Sequence, residues 1–365
     1  MATRTNENAL QKPVVAEDRS IDMKAVKLIV GDLLEPRPLV YWADFTASIT
    51  LAWACLWFAS SSEVSFGLRV LALVANSFLF YRSLFFIHEI AHSNRPWVRP
   101  FSTVWNMLCG AILFQPTSTY GISHLDHHKS NTFGTASDPR YVPLGLGSRA
   151  AWLVPLFLNI WIAPVLLAVR FIVLGPISIL IGGRFRNWVI QHMSTIAMNL
   201  KYIRPLPNAE QRMIGVLQEV YATAFWCAVV VLWSKSIVPA ALFLNTYLSL
   251  VLIMAYNYIR SLCAHRYTNP GQTVDFSDQL LDSISVVSPW SIAALLAPVG
   301  LRYHSLHHLL PSLPYHSMTA AHRRLMRQLP QNHPYRRTIA NGMLEVLSDL
   351  WKRTGENQAQ RIVPE

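Results

Sequence analysis

The sequence predicts an all-α integral membrane protein with four transmembrane helices in two hairpins, further interfacial or re-entrant helices, and a cytoplasmic histidine-rich cap. Of its 365 residues 52% are hydrophobic and only 14% charged, against about 25% charged residues in soluble domains. Residues 45–62 and 236–259 carry no charge over 18 and 24 residues, enough to cross a hydrocarbon core of about 30 Å as helices. The 13 histidines are concentrated beside such stretches.

Two pairs of apolar stretches predict the hairpins. The first pairs residues 44–62 with 66–87 across a short serine-rich turn, and the second pairs residues 214–234 with 236–259. Each stretch is long enough for one crossing.

The chain is expected to begin and end in polar tails around one membrane domain. Residues 1–40 predict a cytoplasmic N-terminal tail, whose first twenty residues lack the charged-then-apolar pattern of a cleaved signal peptide. Residues 41–330 form the predicted membrane domain. Residues 331–365 are polar and predict a loosely structured C-terminal tail.

Lysine and arginine give the chain a net charge of +11, and their distribution predicts its orientation. They are dense before residue 40, between 184 and 212, and from 260 onward. The positive-inside rule therefore places both termini and the middle loop in the cytoplasm. In so apolar a chain this excess indicates membrane topology and not nucleic-acid binding. The four scattered cysteines predict neither disulfides nor a cysteine metal site.

Eight histidines form three short boxes, each at a predicted membrane boundary. The boxes read HEIAH at 88–92, HLDHH at 124–128 and HSLHH at 304–308. Histidines at i and i+4 share one face of a helix, with Cβ atoms about 5–6 Å apart, so that both can bind one ion. One such pair is often incidental, whereas three boxes together predict a metal site. His265 follows the last apolar stretch and lies near the same boundary.

A shared site requires an even number of membrane crossings between its parts. The apolar stretch 101–123 is therefore expected to be re-entrant or interfacial, because a single crossing would separate the first two boxes. The stretch 150–183 is expected to lie in the interface or to form its own hairpin. For the same reason residues 284–301 predict an interfacial helix.

The number of histidines predicts two metal ions. Eight or nine imidazoles exceed the four ligands of a tetrahedral zinc, and imidazole suits zinc, copper, iron and nickel. Two ions with four or five ligands each leave room for oxygen, which favours a redox-active pair such as iron. Neutral imidazole ligands need orienting acceptors. Candidates for these acceptors and for neighbouring cations are Glu89, Asp126, Asp138, Asp282, Arg260 and Arg302.

The boxes, and wording such as APVGLRYHSLHHLLPSLPYH, resemble bacterial members of the membrane fatty acid desaturase superfamily over about residues 45–325. The resemblance implies four spanning helices and a non-heme di-iron centre on the cytoplasmic face, in a bacterial inner membrane. Its implied ligands are His88, His92, His124, His127, His128, His304, His307 and His308, with His265 as the ninth. Better-known acyl-CoA desaturases have an asparagine four residues before that ninth ligand, where this chain has Ser261.

The resemblance also implies a reaction: dioxygen and two electrons oxidise an acyl chain, most simply by desaturation. Hydroxylation, acetylenic bond formation and oxidative decarboxylation to a terminal alkene stay open, because all begin by removing hydrogen from the chain. Electrons are expected from a separate donor such as ferredoxin or cytochrome b5 with its reductase. Decarboxylation would require a cationic anchor for a carboxylate near the metal, which Arg260, Arg266 or Arg302 could supply.

A membrane metal transporter or storage protein is the alternative from another class. Transporters place ionisable residues within their spans, near the midplane. The predicted spans here are nearly free of such residues, and the histidines cluster at one face, which favours the oxidase. The remaining histidines, including His316, are interpreted as surface or neighbouring groups.

Overall fold

The computed structural model describes residues 20–194, 197–287 and 292–362, which are mostly helical. The α-helices are α1 (Met23–Val30), α2 (Pro38–Ser60), α3 (Phe66–His92), α4 (Val98–Trp105), α5 (Thr117–His128), α6 (Ala150–Trp161), α7 (Ala163–Val169), α8 (Gly175–Ile181), α9 (Gly183–His192), α10 (Ala209–Ser234), α11 (Ala241–Leu262), α12 (Phe276–Asp282), α13 (Ile292–Leu296), α14 (His304–Leu309), α15 (Met318–Gln328) and α16 (Met343–Ile362). Short 3₁₀ helices cover Gly31–Leu33, Leu144–Leu146, Tyr315–Ser317 and Pro334–Thr338, and π-helical turns cover Asn106–Gly110 and Arg170–Leu174. Strands β1 (Ser285–Val286) and β2 (Ile339–Ala340) pair in parallel.

Five helical stretches are long and apolar enough to cross a membrane: Pro38–Ser60, Phe66–His92, Ala163–Ile181, Ala209–Ser234 and Ala241–Leu262. Their outward faces carry large exposed apolar side chains, among them Leu51, Leu71 and Leu217. Such continuous apolar faces are stable against lipid and unfavourable in water.

Helices α2, α3 and α11 are joined by a buried polar contact. α2 ends at Ser60 and α3 begins at Phe66. The Asn76 amide of α3 donates a 2.8 Å hydrogen bond to the Ala52 carbonyl of α2 and accepts one from Ser249 of α11. Buried polar groups are costly unless paired, so this contact fixes the register of the three helices.

Residues 98–128 form a broken helical segment beside α3. α4 passes into a π-helical turn, the chain bends at Phe114 with φ of 61°, and α5 follows. The Trp105 indole donates a 2.7 Å hydrogen bond to the Ser83 carbonyl of α3. Neither α4 nor α5 has the length of a span.

Helix α6 runs antiparallel to α11. The Tyr258 hydroxyl of α11 donates to the Trp152 carbonyl near the start of α6, and Tyr247, about three turns earlier in α11, donates a 3.2 Å hydrogen bond to the Trp161 carbonyl at its end. The start of α6 therefore lies beside the end of α11.

The stretch from α7 to α8 then lies beside α10 and contains a buried ionic triad. Arg170 in the π-helical turn and Arg186 in α9 each donate a 2.7 Å charged hydrogen bond to one oxygen of Glu219 in α10. The Thr223 hydroxyl also donates to the Phe171 carbonyl at 3.0 Å. The predicted spans were expected to be nearly free of ionisable residues. Glu219 lies in one of them, and its charge is paired with two arginines.

The expected interfacial helix over residues 284–301 is wrong for the described part of that stretch. Only Ile292–Leu296 is helical there. Backbone amides of Ile284, Val286 and Val287 instead donate to the carbonyls of Ala264, Arg302 and Ala340 at 2.7–3.1 Å. Residues 284–286 are buried on all sides. An apolar run of that kind suits a short internal strand as well as a helix.

The C-terminal segment is not a loose tail over its described residues. Strand β2 pairs with β1, and α16 buries Leu350 and Thr354 completely. Three buried hydroxyls link this segment to the third box: Ser305 is 2.6 Å from Ser285 and 2.7 Å from Thr338. Its polar composition reflects an exposed outer face on an amphipathic helix.

The histidine-bearing cap has its own apolar core. α1 and α15 pack together over α14, with Val26, Val30, Leu306 and Leu325 fully buried. Residues 23–30, assigned from the sequence to a tail, therefore support the third box from behind.

Candidate metal centre

Three helices and one turn carry the predicted ligands. α3 ends with His88 and His92, whose rings lie one turn apart with centroids separated by 5.1 Å. α5 ends with the second box, and α14 consists almost entirely of the third. His265 follows α11 in a short bridge to Ser283.

The structure brings all nine histidines together in two groups, and within each group the candidate ligand atoms lie within 4.8 Å of one another. The five-histidine group contains His88, His92, His124, His128 and His307, and the four-histidine group contains His127, His265, His304 and His308. The second and third boxes each divide between the groups. In each HxxHH box the first and last histidines, at i and i+4, belong to one group. The histidine between them, at i+3, belongs to the other group.

The distances between imidazole nitrogens fit metal coordination. In the five-histidine group, Nε2–Nε2 distances are 2.8 Å for His92–His124, 3.2 Å for His124–His128 and 3.0 Å for His128–His307. In the four-histidine group they are 3.2 Å for His127–His265, 2.9 Å for His265–His304 and 3.1 Å for His304–His308. Two nitrogens bound at right angles about 2.1 Å from one ion lie about 3.0 Å apart.

Seven of the nine histidines are buried, and His92 and His128 are half-buried; metals bind the neutral form of imidazole. Both ring nitrogens of His88, and Nδ1 of His304 and His307, have no hydrogen-bond partner. Burial lowers the pKa of the box histidines outside the apolar helices, namely His124, His128, His304, His307 and His308. Unpaired buried nitrogens are costly, and a cation at the centre of the five-histidine group would satisfy one nitrogen of His88. The residues therefore fit two metal ions.

Asp138 orients His127. Both of its oxygens lie 2.9–3.0 Å from His127 Nδ1, which leaves Nε2 to face the four-histidine group. The backbone amides of Gly134 and Arg140 donate to the same carboxylate at 2.8 Å. Burial alone would raise the pKa of Asp138, but His127 and these hydrogen bonds hold it below its usual value.

The other members of the four-histidine group have similar supports. Asp282 lies 3.4 Å from His265 Nδ1 and accepts a 2.8 Å hydrogen bond from the Tyr141 hydroxyl. The Gln279 amide lies 3.3 Å from His308 Nδ1. Such supports fix the tautomer and ring angle of a ligand.

Two predicted acidic neighbours have different roles. Glu89 Oε1 is 3.8 Å from His88 Nδ1, and its other oxygen accepts from the Tyr41 hydroxyl at 2.5 Å and the Tyr315 amide at 3.1 Å. Glu89 thus ties the first box to α2 and to the segment after the third. Asp126 does not contact a box histidine: it binds the Lys129 ammonium at 2.7 Å and accepts from Tyr202 at 2.9 Å.

The three flanking arginines separate in the structure. Arg302 stacks on Tyr303 and Arg266 donates to the Leu281 and Arg337 carbonyls, so neither lines the space beside the histidines. Arg260 does line that space. His316 lies outside both groups and accepts a 3.1 Å hydrogen bond from the Arg37 amide.

A narrow cavity of about 80 Å³ opens onto both groups. Its walls include His88 and His124 of one group and His127, His265 and His304 of the other. A second space shares Phe85, Tyr120, Arg140, Met254, Asn257 and Arg260 with it and continues between α3 and α11, past Leu84 and Ile253. A substrate placed there would reach both candidate metal positions.

Several functional neighbours were not identified from the sequence. Arg140 and Tyr120 line the cavity, and Gln279 supports His308. Their only local signal is position: Arg140 lies two residues after Asp138, and Tyr120 lies one turn before the second box. Gln279 is far from any box and becomes a neighbour only when α12 folds against α14.

The comparisons with known proteins agree with this geometry. A sequence model of the family described as fatty acid desaturase matches residues 64–340. A relative named ceramide hydroxylase, from Caulobacter vibrioides (strain NA1000 / CB15N), is 34% identical over 346 residues, which cover 94% of this chain and 97% of that protein.

The family match spans α3, α10, α11 and all three boxes. Five membrane-length apolar helices, two buried histidine groups and this family match together indicate an oxidoreductase embedded in a membrane and acting on lipid. The chain belongs to the fatty acid desaturase family.

Proposed function

We propose that this protein is a di-iron hydroxylase of a membrane lipid. The observation that carries the proposal is that two buried histidine groups open onto one cavity. The sequence first favoured desaturation. Hydroxylation now has the better support, because the relative that matches nearly the whole chain is named a hydroxylase.

Two iron ions, when bound, supply the activation of dioxygen that an unactivated C–H bond requires. The nine histidines would hold them. The overall change is one C–H bond replaced by C–OH: the lipid, one dioxygen, two electrons and two protons give the alcohol and one water. The electrons come from an external donor of the ferredoxin or cytochrome b5 class.

The protein's own residues keep the site ordered and dry. Asp138, Asp282 and Gln279 hold the rings of the four-histidine group. The fully buried Phe133 ring packs against His127 and His265 with centroids 5.3 Å away. Rigid packing of this kind positions the chain and excludes water from a reactive site.

Oxidative decarboxylation is the second candidate. It is favoured by the two arginines, Arg140 and Arg260, in the wall of the cavity, since a fatty acid carboxylate needs a cationic anchor. A fatty acid, dioxygen, two electrons and two protons would give a terminal alkene, carbon dioxide and two waters.

We also propose four membrane crossings, with the centre and both termini in the cytoplasm of a bacterial inner membrane. Two crossings come from α2 and α3, and two from α10 and α11. Residues 150–181 would enter and return without crossing. This proposal is supported by the contacts of α6 with α11 and of α7 and α8 with α10.

Metal and product analysis test the proposal. Purified protein is expected to contain two irons per chain, and with reductant it should convert a panel of ceramides, free acids and glycerolipids to products 16 mass units heavier by mass spectrometry. Loss of two mass units would identify desaturation, and a terminal alkene would identify decarboxylation. One zinc or no metal per chain would refute the oxidase and favour a transport or storage protein.

A further inference from the structure

The cavity beside the two histidine groups has two cationic walls. Arg140, in the loop after α5, and Arg260, in the last turn of α11, line both the narrow cavity and its apolar continuation. They come from segments 120 residues apart in the chain, so the fold, and not local sequence, brings them to the same space.

Neither guanidinium has an acidic partner. Within the described part of the chain, no carboxylate lies within 4.0 Å of either group. Arg260 donates to neutral oxygens, those of Asn257 at 3.2 Å and Ser261 at 2.9 Å. The buried Nε of Arg140 has no hydrogen-bond partner.

Aromatic rings hold both guanidinium groups in place. Arg140 lies over the Tyr120 ring at 4.7 Å, and Arg260 lies over the Phe85 ring at 5.3 Å. Ring stacking fixes a guanidinium while leaving its edge available for a planar anion. Preorganisation of this kind reduces the entropy lost when a ligand binds.

Asp138 and Asp282 use their oxygens in hydrogen bonds to other groups. Asp138 is occupied by His127 and by the amides of Gly134 and Arg140. Asp282 is occupied by His265 and Tyr141. Burial lowers the pKa of Arg140, and the nearby positive charge of Arg260 acts in the same direction, while the Asp138 carboxylate offsets part of the effect. Two cations that lack a direct carboxylate partner in a low-dielectric cavity favour the binding of an anion.

We propose that Arg140 and Arg260 form an anion subsite that binds the carboxylate or phosphate at the polar end of the lipid substrate. The proposal rests on the proposed function only in taking a lipid as the substrate. The shared chemistry is a planar or tetrahedral oxyanion attached to an acyl chain, held by charge-assisted hydrogen bonds.

The position of the subsite has a consequence for regiochemistry. Because the arginines and the histidines line one narrow cavity, the carbons next to the anion lie beside the histidines. The rest of the acyl chain of the substrate would then extend past Leu84 and Ile253 between α3 and α11. Oxidation is therefore expected within a few carbons of the polar end.

Binding measurements without turnover test the subsite. Metal-loaded protein in detergent, without reductant, is titrated with dodecanoate, dodecyl phosphate and methyl dodecanoate. Wild-type protein should bind an anion at least tenfold more tightly than the neutral ester. Arg140→Gln and Arg260→Gln should each weaken anion binding about tenfold or more and leave ester binding unchanged, whereas Arg140→Lys should retain part of the affinity.

The matched control is Arg302→Gln, which removes a stacked arginine close to the third box but outside the cavity; its anion affinity should stay at the wild-type value. Tighter binding of dodecanoate than of dodecyl phosphate would assign the subsite to fatty acids, and the reverse order to phospholipids. Equal affinity of wild-type protein for anion and ester, or equal weakening of both by Arg140→Gln, would overturn the proposal. Because no turnover is measured, the outcome is independent of whether the enzyme hydroxylates or desaturates.

Discussion

At the scale of single residues, the division of each HxxHH box between two groups explains why its spacing matters. In the second box His124 and His128 belong to the five-histidine group and His127 to the four-histidine group. In the third box the assignment is reversed: His304 and His308 belong to the four-histidine group and His307 to the five-histidine group. Moving one histidine by one position along α5 or α14 would turn its ring about 100° around the helix, since successive residues differ by that angle.

Replacing His307 tests the five-histidine group. His307→Ala should lower bound iron from two towards one per chain and reduce turnover at least a hundredfold, because one ion loses a ligand and its place in the cavity. Bound iron and product formation are measured on variant protein that is extracted from membranes in the same amount as wild type. His192→Ala, at an exposed histidine outside both groups, is the control. Wild-type rates in His307→Ala would contradict the site.

A second residue-scale prediction concerns pH. Burial, reinforced by Arg302 and Arg323, lowers the pKa of His322 to about 4 from an ordinary 6.5. His322 also lies 2.8 Å from the Tyr335 hydroxyl. Because the unfolded chain takes up this proton more readily, the stability that neutral His322 contributes is complete above pH 6.5 and declines as the pH falls towards 4.

His322→Gln should therefore reduce the loss of stability between pH 7.5 and pH 5 by about 1 kcal/mol, a value discounted for the partial exposure of the ring. Thermal unfolding of metal-loaded protein at both pH values measures this difference. An identical loss in wild type and variant would show that His322 does not contribute.

At the scale of secondary-structure elements, the Arg170–Glu219–Arg186 triad fixes the returning segment against α10. Glu219→Gln leaves two buried cations facing a neutral amide and should destabilise the protein by about 3–5 kcal/mol. Unfolding in detergent is the measurement, and Glu210→Gln, at an exposed position on the same helix, should be neutral. A wild-type unfolding temperature for Glu219→Gln would mean that the triad does not hold the segment.

The C-terminal helix allows a comparable test. Leu350 of α16 is fully buried against the cluster that contains Trp152 and Tyr258. Leu350→Ala should cost about 3 kcal/mol through the cavity that it leaves. Leu344→Ala, on the same helix but 80% exposed, should change stability by less than about 0.5 kcal/mol. An equal free energy of unfolding for the two variants would mean that the C-terminal segment is a loose tail, as its composition predicts.

At the scale of the whole molecule, the sequence predicted the helical membrane class and the clustering of the three boxes, which follow from hydropathy, helical periodicity and spacing. The resemblance added His265, and Asp138 and Asp282 were among the candidate acceptors, although the sequence did not indicate which histidine each would support. Sequence reasoning failed where long-range packing decides the outcome. Residues 284–286 become a strand only because residues 339–340 lie beside them, and Arg140 meets Arg260 only after the loop folds back over α11.

The proposed topology is itself testable. Cysteines are introduced one at a time into cysteine-free protein at Thr5, Ser62, Lys235 and Asn357, and intact cells are treated with a membrane-impermeant thiol reagent. Only positions 62 and 235 should be labelled, because both termini and the centre lie on the cytoplasmic side. Labelling of both termini would reverse the proposed orientation, and labelling of only one terminus would contradict the even number of crossings.

The hydrogen-bonded hydroxyls of Ser285, Ser305 and Thr338 join parts of the protein that are synthesised at different times. A nascent chain that ends before residue 338 already contains all nine histidines, yet it lacks the hydroxyl that fixes the third box from behind. The ribosome therefore finishes the scaffold after it has finished the ligands. We therefore expect a chain that ends before residue 338 to retain all nine histidines but to hold the third box less firmly than the full chain does.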